Sequence, residues 1–140
     1  MRTMFQEGAK GIVFIESLTF MINEDIAAAL GTIDAALKAN DAGVLTLSSE
    51  DLVNAEMAGQ LLTAYRDAAK ETLSTAKKAL KEAAEALVAH DVGKILKNPD
   101  SDLAEVRDVF SKALHMIKVN AEEVQAIKDG ASKAIGLFSV

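Results

Sequence analysis

The chain has 140 residues, no cysteine, one proline and only 4% aromatic residues, while half of its residues are apolar. The lack of cysteine excludes disulfide frameworks, thiolate metal sites and cysteine nucleophiles. A net charge of −6 argues against nucleic-acid binding, which needs a basic surface. An alanine-rich chain with few aromatic residues is typical of closely packed helices. We therefore expect a single all-α domain over residues 1–140.

The most hydrophobic stretch of the chain lies at residues 12–22, inside an N-terminal helical segment predicted over residues 1–47. As a helix this stretch has an apolar sector wider than one face. Such a sector indicates either a core helix or an exposed contact surface, and the sequence leaves both interpretations open. The candidate interaction residues are Ile12, Phe14, Ile15, Leu18, Phe20, Met21, Ile22 and, near the C terminus, Phe138.

The rest of the N-terminal segment predicts one or two helices. Asn23 is a candidate N-cap for a second helix that ends near Ala39–Asn40, and one helix running straight through is the alternative. Gly8 and Gly11 interrupt any strong pattern before this region. Residues 44–47 are expected to form an extended connector that packs on the helices.

Residues 48–140 predict a long antiparallel helical hairpin with its turn near residues 93–101. From Ser49 to Leu96 the apolar residues recur at steps of three and four, and small alanines alternate with leucines. Ser48 or Ser49 is expected to cap the first helix, with acidic residues in its first turn. The second helix shows the same spacing, and Gly130 and Gly136 are expected to mark a kink or a frayed end. Together the helices predict a four-helix-bundle-like fold or an elongated hairpin.

A search for chemical motifs yields no catalytic, cofactor-binding or metal-binding residue. The chain has no glycine-rich phosphate loop, no nucleophile elbow and no His-Glu-x-x-His. Neither His90 nor His115 has a glutamate three residues before it, as a di-iron bundle would need. Residues 98–102 lack the glycine and distal glutamate of a calcium loop. Tyr65 is expected to place its ring in the core. The sequence therefore predicts a protein that is not an enzyme.

The stretch from Lys97-Asn98-Pro99 through Ile127-Lys128-Asp129 to Phe138 resembles the subunits of type III secretion needles. Those subunits are helical hairpins with an Asn-Pro turn and an apolar C-terminal helix that lines a filament. This chain differs in its longer first hairpin helix and in its added N-terminal half. The Ala/Lys/Glu-rich helices around a proline-containing turn are also similar to phasins, which coat storage granules. Both resemblances imply helices that pack in an array or on an apolar surface.

These observations predict a structural or assembly subunit that packs through long Ala/Leu-rich helices, as in a virion, a secretion apparatus or a filament. Its partners are expected to be copies of itself, as a homo-oligomer or polymer, or other protein subunits. The alternative is an interaction module that binds a partner helix, or an apolar membrane or granule surface, through residues 12–22. No apolar run reaches the roughly 18–20 residues that span a bilayer. Cytoplasmic location is the default expectation, with a virion or signal-less secretion left open.

Overall fold

The computed structural model describes residues 2–89 and 99–138, and these residues form three long helices and no strand. Helix α1 spans Arg2–Asp41, α2 spans Ser49–Ala89 and α3 spans Pro99–Ile135, with 40, 41 and 37 residues respectively. The predicted all-α architecture of bundled helices and a hairpin is confirmed. In the described part of the chain, the N-terminal segment is one helix.

Asn23 lies inside α1, so the prediction that it caps a second helix is wrong and the single-helix alternative is correct. Ile22 and Ile26 flank it and are both buried. Residues four apart lie on the same face of a helix, so the helix must continue through Asn23 for both isoleucines to reach the core. Burial of that face outweighs the local preference of asparagine for a helix start.

A Schellman motif ends α1. The Val44 amide donates to the Ala39 carbonyl at 2.9 Å, and the Gly43 amide donates to the Asn40 carbonyl at 3.1 Å. Gly43 has a φ of 76°, the left-handed conformation that this motif requires and that glycine adopts without strain. The Asn40 side-chain oxygen also accepts a hydrogen bond from the Leu47 amide at 2.9 Å. The predicted non-helical connector is therefore present, although Val44 is exposed rather than packed on the helices.

A capping box starts α2. The Asp51 amide donates to the Ser48 hydroxyl at 3.1 Å, and the Ser48 amide donates to the Asp51 carboxylate at 3.2 Å. Two amides that the helix itself leaves without acceptors are thus paired. Of the two predicted caps, Ser48 and Ser49, the hydrogen bonds show that Ser48 caps this helix.

The far end of the hairpin is described only in part. His90 and the part of the predicted turn up to residue 98 lie outside the described residues. Helix α3 begins at Pro99, the first helical position, where proline is favoured. It runs without interruption through Gly130 and ends at Ile135, so Gly130 marks no frayed end, whereas Gly136 lies in the turn that follows.

The chain divides into two compact units, and each contains a segment of all three helices. The first unit comprises Met1–Ser17 and Glu71–Glu123, and the second comprises Leu18–Lys70 and Val124–Val140. The predicted apolar face of α2 supplies buried residues to both units: Ala55, Ala58, Leu62 and Ala69 in the second, and Ala76, Leu80 and Ala83 in the first.

Glycines inside the helices allow close packing within each unit. A Cβ atom added at Gly8 would lie 2.8 Å from Leu80 Cδ1, and one added at Gly11 would lie 2.7 Å from Ile117 Cγ2. In the second unit, a Cβ atom at Gly130 would lie 2.8 Å from the Tyr65 hydroxyl oxygen. These distances are shorter than van der Waals contact. At each of these three helical positions a neighbouring side chain occupies the space that a Cβ atom would fill. This close approach accounts for a glycine inside the helix.

Candidate functional site

The side of α1 that faces away from the core carries four large apolar residues, which we call the outer face of α1: Val13, Phe14, Phe20 and Met21. Their exposed fractions lie between 44% and 62%. Val13 and Phe20 are seven residues apart, as are Phe14 and Met21, and helical residues seven apart lie above one another. Ser17 is exposed and stands three or four residues from each of them. Four bulky side chains thus surround one small one.

The candidate interaction residues separate into two groups. Ile12, Ile15, Leu18 and Ile22 are buried on the inner side of α1, and Phe138 is buried in the second unit, so packing accounts for these five. Phe14, Phe20 and Met21 are exposed. The wide apolar sector therefore supplies both a core face and an exposed face. The interaction role of the exposed residues stays a prediction.

Val13 belongs to the same outer face, although it was not among the candidates drawn from the sequence. The signal that could have identified it is its position seven residues before Phe20. A search by spacing on the outer side of the helix would have selected it, whereas a search for aromatic and long aliphatic side chains did not.

An open groove lies between α1 and α2 in the second unit. Its volume is about 610 Å³, and Gly59 is one of its lining residues. Its charged lining residues are Glu56 and Asp67, both acidic, so we call it the acidic groove. A Cβ atom at Gly59 would have no atom of another side chain or helix within 4 Å. The remaining lining residues are Ile33, Leu37, Ala55, Gln60, Thr63 and Ala64.

The first unit has a smaller groove between α1 and α2, about 270 Å³ in volume, with the opposite charge. Its charged lining residues are Lys77 and Lys81, and Phe5 stands beside them with 43% of its surface exposed. We call these three residues the basic edge. The other lining residues of this groove are Ile12, Leu80 and Ala84.

A third groove, of about 420 Å³, lies between α2 and α3 in the first unit. Lys78, Glu82 and Lys112 line it, so both signs of charge occur there. Its apolar lining includes Val109 and Met116. Sequence reasoning identified none of the three grooves, because each depends on which residues of two different helices come together.

The described residues do not bring together a set of metal-binding groups. No cluster of three or more His, Asp or Glu side chains in residues 2–89 and 99–138 could hold a metal ion. His115 is exposed on α3, and Tyr65 is half-buried against Gly130. Lys38 donates a hydrogen bond to Asp34 at 2.9 Å, and this bond and the Asp34 charge raise the Lys38 pKa above its ordinary value. That pair is fully exposed, so it has the character of a surface ion pair.

Each unit buries one polar side chain with an unpaired atom. The Thr19 hydroxyl in the second unit and the Asn120 Nδ2 atom in the first have no hydrogen-bond partner among the described residues. Such groups normally find partners when buried, and leaving one unpaired costs about 1–3 kcal/mol. Neither atom lines any of the three grooves described above.

Among the described helices, none combines the length and the apolar character needed to cross a membrane. No family model matches the chain, and no curated protein or solved structure matches it. The resemblances to needle subunits and to phasins therefore stay hypotheses.

Proposed function

We propose that this protein is a non-enzymatic assembly subunit that associates with copies of itself through its long helices, and that the outer face of α1 is a principal contact. The observation that carries the proposal is the grouping of Val13, Phe14, Phe20 and Met21 on one exposed side of a helix. Single exposed apolar residues are common on protein surfaces. A group of four, two of them aromatic, is typical of a surface that is covered in an assembly.

The helical geometry of this face suits helix-to-helix packing. Side chains at helical spacing form ridges, and the small Ser17 between bulky neighbours leaves a gap that a partner's side chain can enter. Full burial of a large apolar side chain contributes about 1.5–3 kcal/mol, and burial of these half-exposed ones contributes less. Association costs about 4–15 kcal/mol in lost translational and rotational freedom. We therefore expect the extent of assembly to depend on protein concentration.

Light scattering after size exclusion, over a concentration series, tests the proposal. We expect the mass of the wild-type chain to rise above that of one chain as concentration increases. A variant with Val13, Phe14, Phe20 and Met21 changed to glutamine should stay closer to one chain and keep its helical circular dichroism, because these side chains are exposed. Val44→Gln is the matched control, since Val44 is exposed in the connector outside α1. A wild-type chain that stays a single copy at every concentration would overturn the proposal.

A second candidate function is an interaction module that binds a partner helix or an apolar membrane or granule surface through the same face. Phe14 and Phe20 on the outer face of α1 favour it, because aromatic side chains contribute most to such contacts. Sedimentation with phosphatidylcholine vesicles tests the membrane form of this function. Vesicle binding by a single-copy wild-type chain, lost in the Phe14→Gln, Phe20→Gln variant, would support it over self-association.

A further inference from the structure

The glycine in the acidic groove differs from the closely packed glycines of the same molecule. Glycine inside a helix costs about 1 kcal/mol relative to alanine. At Gly8, Gly11 and Gly130 a neighbouring side chain fills the space of the missing Cβ, at 2.7–2.8 Å from its position. At Gly59 the nearest such atom lies beyond 4 Å. Among the described residues, no neighbouring side chain or helix occupies the space of the missing Cβ at Gly59.

Charge distinguishes the acidic groove from the basic edge. Glu56 and Asp67 are the charged residues that line the acidic groove, and Lys77 and Lys81 are those that line the small groove at the basic edge. From Ser49 to Tyr65, α2 carries acidic residues and no basic residue. Surfaces of opposite charge attract and orient one another during association, whereas two acidic grooves would repel.

The shapes of the two surfaces also correspond. The acidic groove is open, with a volume of about 610 Å³, and no neighbouring side chain of the described residues lies within 4 Å of the Cβ position at Gly59. The basic edge presents Phe5, a half-exposed aromatic side chain, beside two lysines. An aromatic side chain that fills a pocket and is surrounded by polar contacts is typical of a binding hot spot in a protein interface.

We propose that the acidic groove of the second unit binds the basic edge of the first unit of another copy, with Phe5 inserted above Gly59. This inference rests on the proposed self-association and specifies which two surfaces of opposite charge meet. The contact joins two different surfaces, so copies add head to tail and form a closed ring or an open filament. It is separate from the outer face of α1, which none of the groove-lining residues belongs to.

Three charged residues of the two surfaces, Asp67, Lys77 and Lys81, already have ion-pair partners that can be exchanged. Lys77 lies 3.4 Å from Glu16 and Lys81 lies 3.9 Å from Glu85, measured between nitrogen and carboxylate oxygen. Asp67 lies 3.7 Å from the Arg66 guanidinium. Exposed pairs of this kind contribute about 0–1 kcal/mol each, so the lysines can turn toward carboxylates of another copy at little cost.

A groove-filling substitution tests the contact without disturbing the fold. Gly59→Leu places a side chain in the groove, and the open space around Gly59 lets the chain accommodate it. We expect the dissociation constant of self-association, from light scattering or sedimentation equilibrium, to rise about tenfold or more. The matched control is Gly31→Leu, because Gly31 also has nothing within 4 Å of its Cβ position but does not line the groove. Equal association by the two variants would overturn the inference.

Charge reversal tests whether the two surfaces face each other. Glu56→Lys with Asp67→Lys makes the groove basic, and Lys77→Glu with Lys81→Glu makes the edge acidic. Each double variant alone should associate about tenfold or more weakly than the wild type, because like charges then meet. An equimolar mixture of the two should recover association, since each surface again meets its opposite. Two weakened variants that fail to recover on mixing would show that these charges are not paired, and would overturn the inference.

The outcomes separate this inference from the proposed function. A wild-type chain that never associates overturns both. A wild-type chain that associates, is weakened by the glutamine substitutions on the outer face of α1 and is indifferent to Gly59→Leu overturns the groove contact alone. Weakening by Gly59→Leu and by Phe5→Ala, with no effect of Gly31→Leu, supports the groove contact.

Discussion

The two units of this protein place α1 and α2 together in different ways. In the first unit Gly8 brings the α1 backbone against Leu80 of α2, with only 2.8 Å between the Leu80 Cδ1 atom and the position of the missing Cβ. In the second unit residues of the same two helices line an open groove of about 610 Å³, and in the part of the chain that the structure describes no neighbouring side chain lies within 4 Å of the Cβ position at Gly59. A helical glycine can thus mark either a closed contact or an open surface. Its neighbours in space decide which, and only the open surface can accept a partner.

The largest expected effect is the loss of stability when a core phenylalanine, rather than an exposed one, is changed to alanine. Phe110 in the first unit is 0% exposed, whereas Phe20 in the second unit is 62% exposed. Phe110→Ala should lower the free energy of unfolding by about 3–5 kcal/mol, since it leaves a cavity. Phe20→Ala should change it by no more than about 0.5 kcal/mol. Urea denaturation at low protein concentration measures both, and similar losses from the two would contradict the assigned burial.

An effect of intermediate size is expected when alanine replaces a closely packed glycine, Gly11, or a glycine with free space around it, Gly59. Gly11→Ala and Gly59→Ala gain the same helix propensity, about 1 kcal/mol. At Gly11 the new methyl group would meet the γ-methyl of Ile117 at 2.7 Å, and a β-branched side chain in a helix cannot easily turn away. We therefore expect Gly59→Ala to stabilise the chain by about 1 kcal/mol, and Gly11→Ala to be about 1–3 kcal/mol less stable than Gly59→Ala.

Thermal or urea unfolding of the two alanine variants measures that difference. Gly8→Ala is an internal control, because its new methyl group would meet the end of the more flexible Leu80 side chain and should be better tolerated than Gly11→Ala. If Gly59→Ala were as destabilising as Gly11→Ala, the space above Gly59 would already be filled within the chain.

The smallest expected effect concerns the buried polar side chain of each unit. Thr19→Val keeps the side-chain shape and removes a buried hydroxyl that has no partner among the described residues. Asn120→Leu removes the unpaired Nδ2 atom in the same way. Each should raise the free energy of unfolding by about 1 kcal/mol, because an unpaired buried polar group is costly. A loss of stability in either variant would show that its polar group has a partner in the folded protein.

Much of the helical framework could be predicted because its signals are local. The three-and-four spacing on α2 selected residues such as Ala58 and Leu62 that are now found buried. Ser48 was expected as a cap because a hydroxyl just before an acidic first turn can pair with the amide of Asp51, as it does. The cap expected at Asn23 was wrong because local preference carries less free energy than burial of Ile22 and Ile26 on a continuous helix.

The candidate surfaces could be predicted only in part from the sequence. The apolar residues of the outer face of α1 stood out by composition, but the sequence could not say which of residues 12–22 pack inward, since both sides of that helix are apolar. The acidic groove gave no signal, because Ile33 and Gly59 are distant in sequence and meet only when α1 and α2 pack.

The sequence by itself determined the helical spacing of the apolar residues and the two candidate caps of α2, Ser48 and Ser49, because each follows from the spacing or hydrogen bonding of residues close together in the chain. The tertiary structure alone decided which glycines lie against a neighbouring side chain and which side of α1 stays exposed. It also decided that Glu56 and Asp67 line one groove while Lys77 and Lys81 line another. Those properties depend on distances between helices, and no local pattern records how closely two helices approach.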